Sequence, residues 1–549
     1  MKYFSTRGGS ERLSFEETVL AGLAPNGGLY IPTHIPSLPE DWRTKWKDYS
    51  FVDLSTAVLE LYISPDEMTS TELRGLVEKS YAGFRHPDVT PLKTLSGAAN
   101  GSRKPVFILE LFHGPTFAFK DVALQLLGNL FEFFLKRRNQ NKKPGEKDKT
   151  LTVVGATSGD TGSAAIYGLR NKANISIFIL HPKGRVSPIQ EAQMTTVADA
   201  NVHNVAVRGT FDDCQDIVKS LFADKEFNTK HHLGAVNSIN WARILAQTVY
   251  YFLSYFHFQS QLPSGAPADV EIQYVVPTGN FGDILAGYYA KKMGLPMGKL
   301  VVATNENDIL ARFWKSGRYE KVDSTPTSAP GATAPVEGSS DGRQATSRDS
   351  SGVKETLSPA MDILVSSNFE RLLWYLAFEN SGQGSAEVKH SEACRTLEGW
   401  MSKMKSDGRV EVPAGVLESA RRDFIAEKVD DTLTLKTIGK YFEEEHYVAD
   451  PHTAIGLATA EVIASKNSSK TYQVVLSTAH PAKFSEAVSK ALERHSGFNF
   501  EKDVLPEEFV GLLEKERKVI DVERADANLV KEVVERFVEK GTAELGGSI

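Results

Sequence analysis

Short apolar runs alternate with stretches of helical periodicity over most of the chain. The apolar runs predict strands at 106–112, 150–154, 175–180, 202–207, 272–276, 300–303 and 473–476. Several of them precede a stretch with helical spacing, as at 122–135, 163–169 and 284–293. Strands that alternate with helices favour mainly parallel sheets covered on both faces. The pattern therefore predicts an α/β fold.

The remaining segments differ in character. Residues 1–98 mix helical spacing with proline-rich turns and are predicted to form an N-terminal domain, followed by the strand–helix region 99–501. Residues 322–358 are rich in Ser, Thr, Pro and Gly, and they lack the apolar periodicity needed to offset the entropy of ordering. We predict a disordered insertion there, whose deletion leaves activity largely intact.

The C-terminal segment, 502–549, is charged and has helical spacing. We predict that it is helical and packs against the body of the protein through an apolar face. The candidate inward residues are Phe509, Leu512, Leu513, Val519 and Ile520.

One lysine stands between an apolar run and an apolar helical stretch. It closes the segment His113-Gly-Pro-Thr-Phe-Ala-Phe-Lys120, which follows the predicted strand 106–112 and precedes the predicted helix 122–135. Desolvation of a lysine in apolar surroundings disfavours the ammonium form. The neutral amine is the form that condenses with an aldehyde. The alternative is a lysine that extends its charge into water, which is the usual outcome for an isolated lysine.

The segment Pro277-Thr-Gly-Asn-Phe-Gly-Asp283 joins a predicted strand to a predicted helix. A strand, a glycine-containing loop and a helix N-terminus together aim backbone N–H groups and the helix dipole at a phosphate. Gly279 and Gly282 allow close approach of the backbone to the anion. The spacing matches neither a dinucleotide-binding loop nor a Walker A loop, so a small phosphorylated cofactor is favoured over a nucleotide. An ordinary turn between strand and helix is the alternative.

Two further polar loops follow predicted strands. The loop at 155–162 offers Ser158, Thr161 and neighbouring amides to a carboxylate or phosphate, while Asp160 is expected to face a cationic or neutral partner. The loop at 477–483 places Thr478 at the end of another strand. Ligands of open α/β sheets bind at such strand ends.

Composition narrows the possible partners. The formal net charge of −7, from 63 basic and 70 acidic residues, argues against nucleic acid or an anionic membrane as the main partner. The two cysteines, Cys214 and Cys394, indicate neither a disulfide framework nor a zinc site. No signal peptide, transit peptide or membrane-spanning run is indicated. We therefore expect a cytoplasmic protein with reduced thiols.

The four loop motifs resemble, in this order, those of the threonine synthases. They read HGPTFAFKD, ATSGDTGSAA, PTGNFGD and STAHPAKF, and segments 3–8, 22–32 and 450–456 are similar to the same family. The resemblance covers nearly the whole chain and favours the fungal-type branch over the plant-type branch. It implies a fold-type II, tryptophan synthase β-like pyridoxal-phosphate enzyme. Such an enzyme has two lobes of mainly parallel sheets, the cofactor in the cleft, and an N-terminal domain.

The resemblance also implies roles for individual residues. Lys120 would carry pyridoxal 5'-phosphate covalently and act as general base. The cofactor phosphate would be received by Gly279, Asn280, Phe281 and Asp283. Thr478 would hydrogen-bond the pyridine nitrogen, and a hydroxyl at that place does not enforce a protonated ring.

The implied reaction converts O-phospho-L-homoserine and water to L-threonine and phosphate, the last step of threonine biosynthesis. Such a lyase must hold the phosphate and the carboxylate of its substrate. Candidates for the phosphate are Lys183, Arg185 and Arg243, and Ser158 and Thr161 are candidates for the other contacts. For each basic residue, a solvated surface charge is the alternative. The resemblance favours a monomer.

Other functions compete with this interpretation. The same loops would suit a phospho-lyase that deaminates the substrate to 2-oxobutyrate. A threonine dehydratase shares the fold and the cofactor, but its signatures are not these and it needs no site for a substrate phosphate. A cofactor-binding scaffold that has lost catalysis would be expected to show a damaged lysine or phosphate loop. Both are intact here.

Overall fold

The computed structural model describes residues 1–97, 104–267, 269–322 and 352–545, with side chains as far as residue 538. The strands are β1 (Tyr3–Ser5), β2 (Tyr30–Pro32), β3 (Leu92–Leu95), β4 (Val106–Glu110), β5 (Leu151–Ala156), β6 (Ile175–Pro182), β7 (Val202–Val207), β8 (Leu233–Gly234), β9 (Glu271–Pro277), β10 (Leu300–Thr304), β11 (Arg318–Glu320), β12 (Arg409–Glu411), β13 (Phe424–Lys428), β14 (Thr471–Ser477) and β15 (Ile520–Val522).

The helices are distributed along the whole described chain. In order they are α1 (Phe15–Ala21), α2 (Trp42–Lys45), α3 (Phe51–Glu60), α4 (Ser70–Tyr81), α5 (Lys120–Gln140), α6 (Asp160–Leu169), α7 (Pro188–Thr195), α8 (Phe211–Ala223), α9 (Lys225–His231), α10 (Trp241–Gln261), α11 (Gly282–Met293), α12 (Ile309–Ser316), α13 (Phe369–Glu379), α14 (Ala386–Asp407), α15 (Ala414–Asp423), α16 (Asp431–Glu445), α17 (Pro451–Ala464), α18 (Ser485–Leu492), α19 (Phe500–Asp503) and α20 (Ala527–Leu545). Across the described ranges, no helix is long and apolar enough to cross a membrane.

Two separate sheets carry the architecture. The larger has six strands in the order β13-β10-β9-β14-β4-β3, parallel except for β3, which runs antiparallel to β4. The smaller has five parallel strands in the order β15-β7-β6-β5-β8. The inner strands β7, β10 and β14 are continuous runs of buried residues, as expected where helices cover both faces of a sheet. The α/β fold with two mainly parallel lobes is confirmed.

Strand order determines which loops meet. The strands β9, β14 and β4 are neighbours and parallel, with Val475 of β14 paired to Val275 of β9 and to Ile108 of β4. Their carboxyl ends therefore lie at one edge of the larger sheet, and the loops that follow them converge there. The loop after β5, in contrast, follows a strand of the smaller sheet.

The N-terminal region does not form a core of its own. Its helices α1, α3 and α4 begin with capping boxes at Ser14, Ser50 and Thr69, each with an acidic residue three positions on. Its apolar residues belong to the same hydrophobic core as α5 and α10; the ring centroids of Tyr3 and Trp241, for example, are 5.9 Å apart. Strand β3 also belongs to the larger sheet, although it lies before residue 98.

The C-terminal segment corrects one prediction. Of 502–549, only α20 is a long helix; before it come the short α19, two single 3₁₀ turns and β15, which adds a parallel strand to β7 of the smaller sheet. Phe509 and Leu512 are buried as predicted, but Leu513 is exposed, and Val519 and Ile520 are half-buried. Charged residues around a three-residue strand produce no recognisable period of two, which is why the strand was missed.

Most of the predicted insertion, 322–358, lies outside the described residues, as do 546–549. The end of the insertion is fixed by side chains near β10. Asn307 donates to the carbonyl of Lys354 at 2.8 Å, and Asn305 donates to Asp362 at 2.8 Å. The chain therefore returns from the insertion to a buried polar cluster beside the larger sheet.

Candidate active site

The loop that carries Lys120 is joined to the loop that carries Thr478. The amide of Phe119 donates to the carbonyl of Thr478 at 2.8 Å, and the amide of His480 donates to the carbonyl of Phe117 at 3.0 Å. Both loops follow neighbouring strands, β4 and β14, so these bonds extend the pairing of the strands beyond the sheet. Lys120 and Thr478 are thereby held at the same edge.

The conformation of the lysine loop follows from its sequence. Asp121 turns back and accepts hydrogen bonds from the amide and the hydroxyl of Thr116, both at 2.7 Å. Gly114 permits this, since a Cβ there would lie 2.4 Å from the Cβ of Asp121. Phe117 adopts a left-handed φ of 59°, which is strained for a bulky residue. The loop thus delivers Lys120 as the first residue of α5.

Lys120 is almost completely buried, with 8% of its surface exposed. Burial lowers its pKa, Asp160 raises it, and the positive charges of Lys483 and Arg243 lower it further. Its Nζ lies 3.7 Å from Oδ2 of Asp160. The lysine does not extend its charge into water, and the direction of its pKa shift is the one that the sequence predicts.

The loop after β9 presents a row of free amides. The backbone N–H groups of residues 279–284 donate to no acceptor in the described part of the chain. Phe281, just before α11, has a left-handed φ of 62°. Free amides at the N-terminus of a twelve-residue helix form an anion site. Gly279, Asn280 and Phe281 therefore present free amides just before the helix N-terminus, and their binding of a phosphate stays a prediction.

A segment that sequence reasoning missed holds this loop in position. Ser366 donates to the carbonyl of Gly279 at 2.8 Å, and the Asn368 amide donates to the carbonyls of Asn280 and Ser238, both at 3.0 Å. The buried Arg371 donates in turn to Asn368. The signal was present in the sequence: three small polar residues, 366–368, stand directly before the apolar helix α13.

Asp283 lies in the first turn of α11, but its described contacts are with α10. Its Oδ1 accepts hydrogen bonds from the hydroxyls of Tyr250 and Tyr251, and its buried Oδ2 has no partner in the described chain. Burial raises its pKa to about 7. The carboxyl group thus ties the phosphate loop to α10 and keeps one oxygen free.

Asp160 faces two cations, as the sequence predicts. Its Oδ1 lies 2.7 Å from Nζ of the fully buried Lys483 and accepts from Nε2 of Gln190 at 2.8 Å, while its Oδ2 faces Lys120. The two lysines hold the pKa of Asp160 well below its usual range despite burial. The part played by Lys483 was not expected.

Next to Asp160, the first turn of α6 offers a second anion site. The amides of Ser158, Asp160 and Thr161 donate to no acceptor in the ranges that the structure describes. The side chain of Ser158 is exposed and that of Thr161 is half-buried. Neither side chain is buried, so both are available to a ligand at this helix N-terminus.

The three basic candidates for the substrate phosphate differ clearly in burial and in ion pairing. Lys183 and Arg185 are exposed, and Lys183 forms an ion pair with Asp521 at 2.7 Å. Arg243 is 4% exposed, acts electrostatically on Lys120, and forms no ion pair with any described carboxylate. Its Nη1 donates to the carbonyl of Val236, and its buried Nε has no partner in the described chain. Burial lowers the pKa of Arg243 to about 10, so it stays charged at neutral pH.

The histidines of the motifs have structural partners. His113 contacts Glu110 at 3.0 Å, and Nδ1 of His480 accepts from the amide of Ala482. Burial lowers the pKa of His480 to about 4, so it is neutral. Thr478 is 6% exposed, and no described side chain or amide is bonded to its hydroxyl.

These features fit a phosphorylated aldehyde cofactor and an anionic substrate. The features are a buried lysine of lowered pKa, two helix N-termini with free amides, one of which carries Asp160 beside that lysine, and a buried arginine whose charge acts on the lysine. Pyridoxal phosphate requires the first two of these, a lysine and an anion site. In the described residues, no group of acidic, histidine or cysteine side chains could hold a metal ion.

Comparison with known proteins gives the same result from independent data. Residues 2–81 match the family model "Threonine synthase N terminus", 84–358 match "Pyridoxal-phosphate dependent enzyme", and 453–534 match "Threonine synthase, C-terminal". A threonine synthase of Schizosaccharomyces pombe is 55% identical over 97% of this chain and 98% of its own.

Solved structures agree over the same length. The crystal structure of threonine synthase from yeast is 49% identical, with a TM-score of 0.87 over 98% of this chain and 99% of that one. A pyridoxal-phosphate-bound threonine synthase from Brucella melitensis is 38% identical, with a TM-score of 0.80 over 98% and 99% of the two chains. This chain belongs to the threonine synthase family of pyridoxal-phosphate-dependent enzymes.

Proposed function

We propose that this enzyme converts O-phospho-L-homoserine and water to L-threonine and phosphate, the last step of threonine biosynthesis, with pyridoxal phosphate as cofactor. One arrangement carries the proposal. A buried lysine of lowered pKa lies in a cleft with two helix N-termini whose first amides have no acceptor in the described chain. Such a cleft can hold an aldehyde and more than one anion at once.

The residues divide between cofactor and substrate. When bound, pyridoxal phosphate supplies an electron sink for a proton leaving the carbon next to the amino group. Lys120 holds the cofactor covalently, the amides from Gly279 to Phe281 bind its phosphate, and Thr478 hydrogen-bonds its pyridine nitrogen. The tie from Asp283 to α10 supports this loop.

Lys120 also moves protons. Because burial lowers its pKa, the free amine can take a proton from a substrate carbon and return it. Lysines that act as bases commonly owe this to burial and to neighbouring charge. We assign both proton transfers, at Cα and at Cβ of the substrate, to this amine.

The substrate anions have distinct candidates. Arg243 suits the phosphate best, because its guanidinium is buried beside Lys120 with free hydrogen-bonding capacity, whereas Lys183 and Arg185 are exposed. Ser158, Thr161 and the amides of α6 suit the carboxylate.

One reaction mixture tests the proposal. Purified protein, pyridoxal phosphate and O-phospho-L-homoserine are incubated, and phosphate, threonine and 2-oxobutyrate are all quantified. We expect equal amounts of phosphate and threonine. Phosphate with 2-oxobutyrate and no threonine would identify the deaminating phospho-lyase instead. If the protein binds the cofactor but shows no turnover, O-phospho-L-homoserine is not its substrate.

We also propose that the enzyme acts as a monomer in the cytoplasm, without nucleic acid or membrane partners. The net charge of −7 supports the absence of nucleic acid and membrane partners, and the two buried free cysteines support a reducing compartment. Light scattering after size-exclusion chromatography should give the mass of one chain, 60.4 kDa. A mass of two chains would show a dimer and contradict the proposed monomer.

A further inference from the structure

A second lysine lies beside Lys120 in the cleft. Lys483 belongs to the 3₁₀ turn Pro481–Phe484 after β14, and its side chain is fully buried. Its Nζ donates to the carbonyl of Thr116 at 2.7 Å and lies 2.7 Å from Oδ1 of Asp160. The other oxygen of Asp160 lies 3.7 Å from Nζ of Lys120. One carboxylate therefore bridges two lysines.

The bridge connects the two lobes. Lys120 and Lys483 follow strands β4 and β14 of the larger sheet, whereas Asp160 follows β5 of the smaller one. Gln190 of α7 fixes the carboxylate by donating to its Oδ1 at 2.8 Å, and Ser187 donates to Oε1 of Gln190 at 3.1 Å. The position of Asp160 relative to Lys120 is thus determined from both sides of the cleft.

Stability alone is a weak reason for such a cluster. Removing charged groups from water is expensive, and buried ion pairs can often be replaced by apolar residues without loss of stability. The cluster also lies at the amine on which the proposed chemistry depends. A functional reason is therefore stronger than a structural one.

We infer that Asp160 and Lys483 are positioning residues for Lys120. Asp160 holds the ammonium of Lys120 in the cleft whenever this amine is not attached to the cofactor, and Lys483 holds Asp160 in place to do so. The inference rests on the proposed function, in which Lys120 holds the cofactor and, as a free amine, moves protons. Neither Asp160 nor Lys483 takes part in the chemistry itself.

The two positioning residues have opposite effects on the proton affinity of Lys120. The negative charge of Asp160 favours the ammonium, and the positive charge of Lys483 disfavours it. Titratable groups of other elements also act on this cluster. Arg243 of α10 acts on Lys120, His452 of α17 acts on Asp160, and Lys483 acts on Asp121 of α5. Asp160→Asn should lower the pKa of Lys120, and Lys483→Met should raise it.

Capture of cofactor by the cofactor-free protein measures this without any substrate. The full-length protein is stripped of cofactor and mixed with pyridoxal phosphate, and the growth of the bound-cofactor absorption band is followed at a series of pH values. The midpoint of the rate profile reports the attacking amine. We expect Asp160→Asn to lower the midpoint and Lys483→Met to raise it, each by about one pH unit or more. At neutral pH, that shift should make capture about tenfold faster in Asp160→Asn and about tenfold slower in Lys483→Met.

Matched variants separate charge from structure. Lys291→Met removes a partly buried lysine paired with Asp423 at 3.1 Å, away from the cleft, and should leave the midpoint unchanged. Lys483→Arg keeps the charge and should keep a midpoint near that of the wild type. If Lys483→Met does not fold, Lys483→Gln retains a donor for the carbonyl of Thr116 and should still raise the midpoint.

The outcomes are distinct. Shifts in the same direction, or no shift in a folded Asp160→Asn variant, would overturn the inference. Capture needs no O-phospho-L-homoserine, so the two proposals are tested separately. If the midpoints shift in opposite directions but the wild-type protein makes no threonine, the inference holds and the proposed reaction is wrong.

Discussion

At the scale of single residues, Arg243 shows how burial distinguishes one basic side chain from many. Its guanidinium has no carboxylate partner in the described chain, and its Nε is buried without an acceptor. Arg243→Met should lower kcat/KM for O-phospho-L-homoserine about 10- to 100-fold, because a buried charged hydrogen bond contributes roughly 1.5–3 kcal/mol. It should also weaken inhibition by inorganic phosphate. Steady-state kinetics measures both.

The exposed candidates provide the controls for this prediction. Lys183→Met and Arg185→Met change charges that lie at the surface, so they should leave kcat/KM within about twofold of the wild type, as surface substitutions generally do. A larger loss in either of them than in Arg243→Met would place the substrate phosphate at the loop after β6 instead.

Gly114 shows a sequence requirement of a different kind. An added Cβ would lie 2.4 Å from the Cβ of Asp121, so Gly114→Ala forces Asp121 away from Thr116. We expect a loss of about 1–3 kcal/mol in the free energy of unfolding, measured by urea denaturation. Gly75→Ala in α4 is the matched control, since nothing lies within 4 Å of its added Cβ. It should be neutral or stabilising by up to about 1 kcal/mol.

At the scale of elements, sequence periodicity predicted the inner strands well because they are buried on both faces. The prediction 202–207 coincides with β7, and 272–276 lies within β9 (Glu271–Pro277). Short or exposed strands such as β8, β12 and β15 were missed, because two or three residues cannot display a period. The loop motifs contained the candidate site residues, but their partners Gln190 and Asn368 lie far away in sequence and only folding brings them there.

At the same scale, Asn368 connects the loop after β9 to the segment before α10 by donating to the carbonyls of Asn280 and Ser238. Asn368→Ala leaves the carbonyls of Asn280 and Ser238 without this donor and releases Arg371 from its side-chain acceptor. The Asn280 carbonyl keeps its bond from the Asn368 backbone amide, but the side-chain tie between this loop and Ser238 is lost, and one such hydrogen bond contributes about 1 kcal/mol. We expect the dissociation constant for pyridoxal phosphate to rise at least about tenfold in an equilibrium titration.

A second asparagine, Asn380 at the opposite end of α13, serves as the comparison for Asn368. Asn380→Ala also removes a donor at the end of α13, where it bonds Leu376 and Ser419, but it has no described contact with the phosphate loop. It should lower stability without changing cofactor affinity. Equal loss of affinity in both variants would mean that α13 as a whole supports the loop, and that the Asn368 bonds do not act specifically.

At the scale of the whole molecule, the C-terminal segment connects the lobes. It leaves the helices of the larger sheet, adds β15 to the smaller sheet, and ends in α20, whose Val530 and Val534 join the core formed by β5, β6, β7 and α8. Surface ion pairs such as Lys183 with Asp521 accompany this contact but contribute little. Buried apolar area therefore holds the segment against the smaller lobe.

The same contact makes the stability of the chain depend on pH through His203. Its ring stacks on Phe178 and contacts Phe537 of α20, each at a centroid distance of 4.5 Å. Burial, and then the charge of Lys518, lower its pKa to about 4. In the unfolded chain, the histidine has an ordinary pKa of about 6.5 and binds a proton more readily than in the folded chain. The neutral His203 therefore contributes fully to the free energy of unfolding above about pH 6.5, and this contribution is lost as the pH falls towards about 4.

His203→Phe should remove this dependence while keeping an aromatic ring between the two phenylalanines. Buried acids with raised pKa values, Asp283 at about 7 and Asp362 at about 6, act in the opposite direction, but they are present in both proteins and cancel in the difference. Between pH 7 and 4.5, the wild type should lose about 2–3 kcal/mol more unfolding free energy than the variant. Urea denaturation at several pH values measures this, and parallel curves for the two proteins would show that the imidazole already takes its proton within the folded chain.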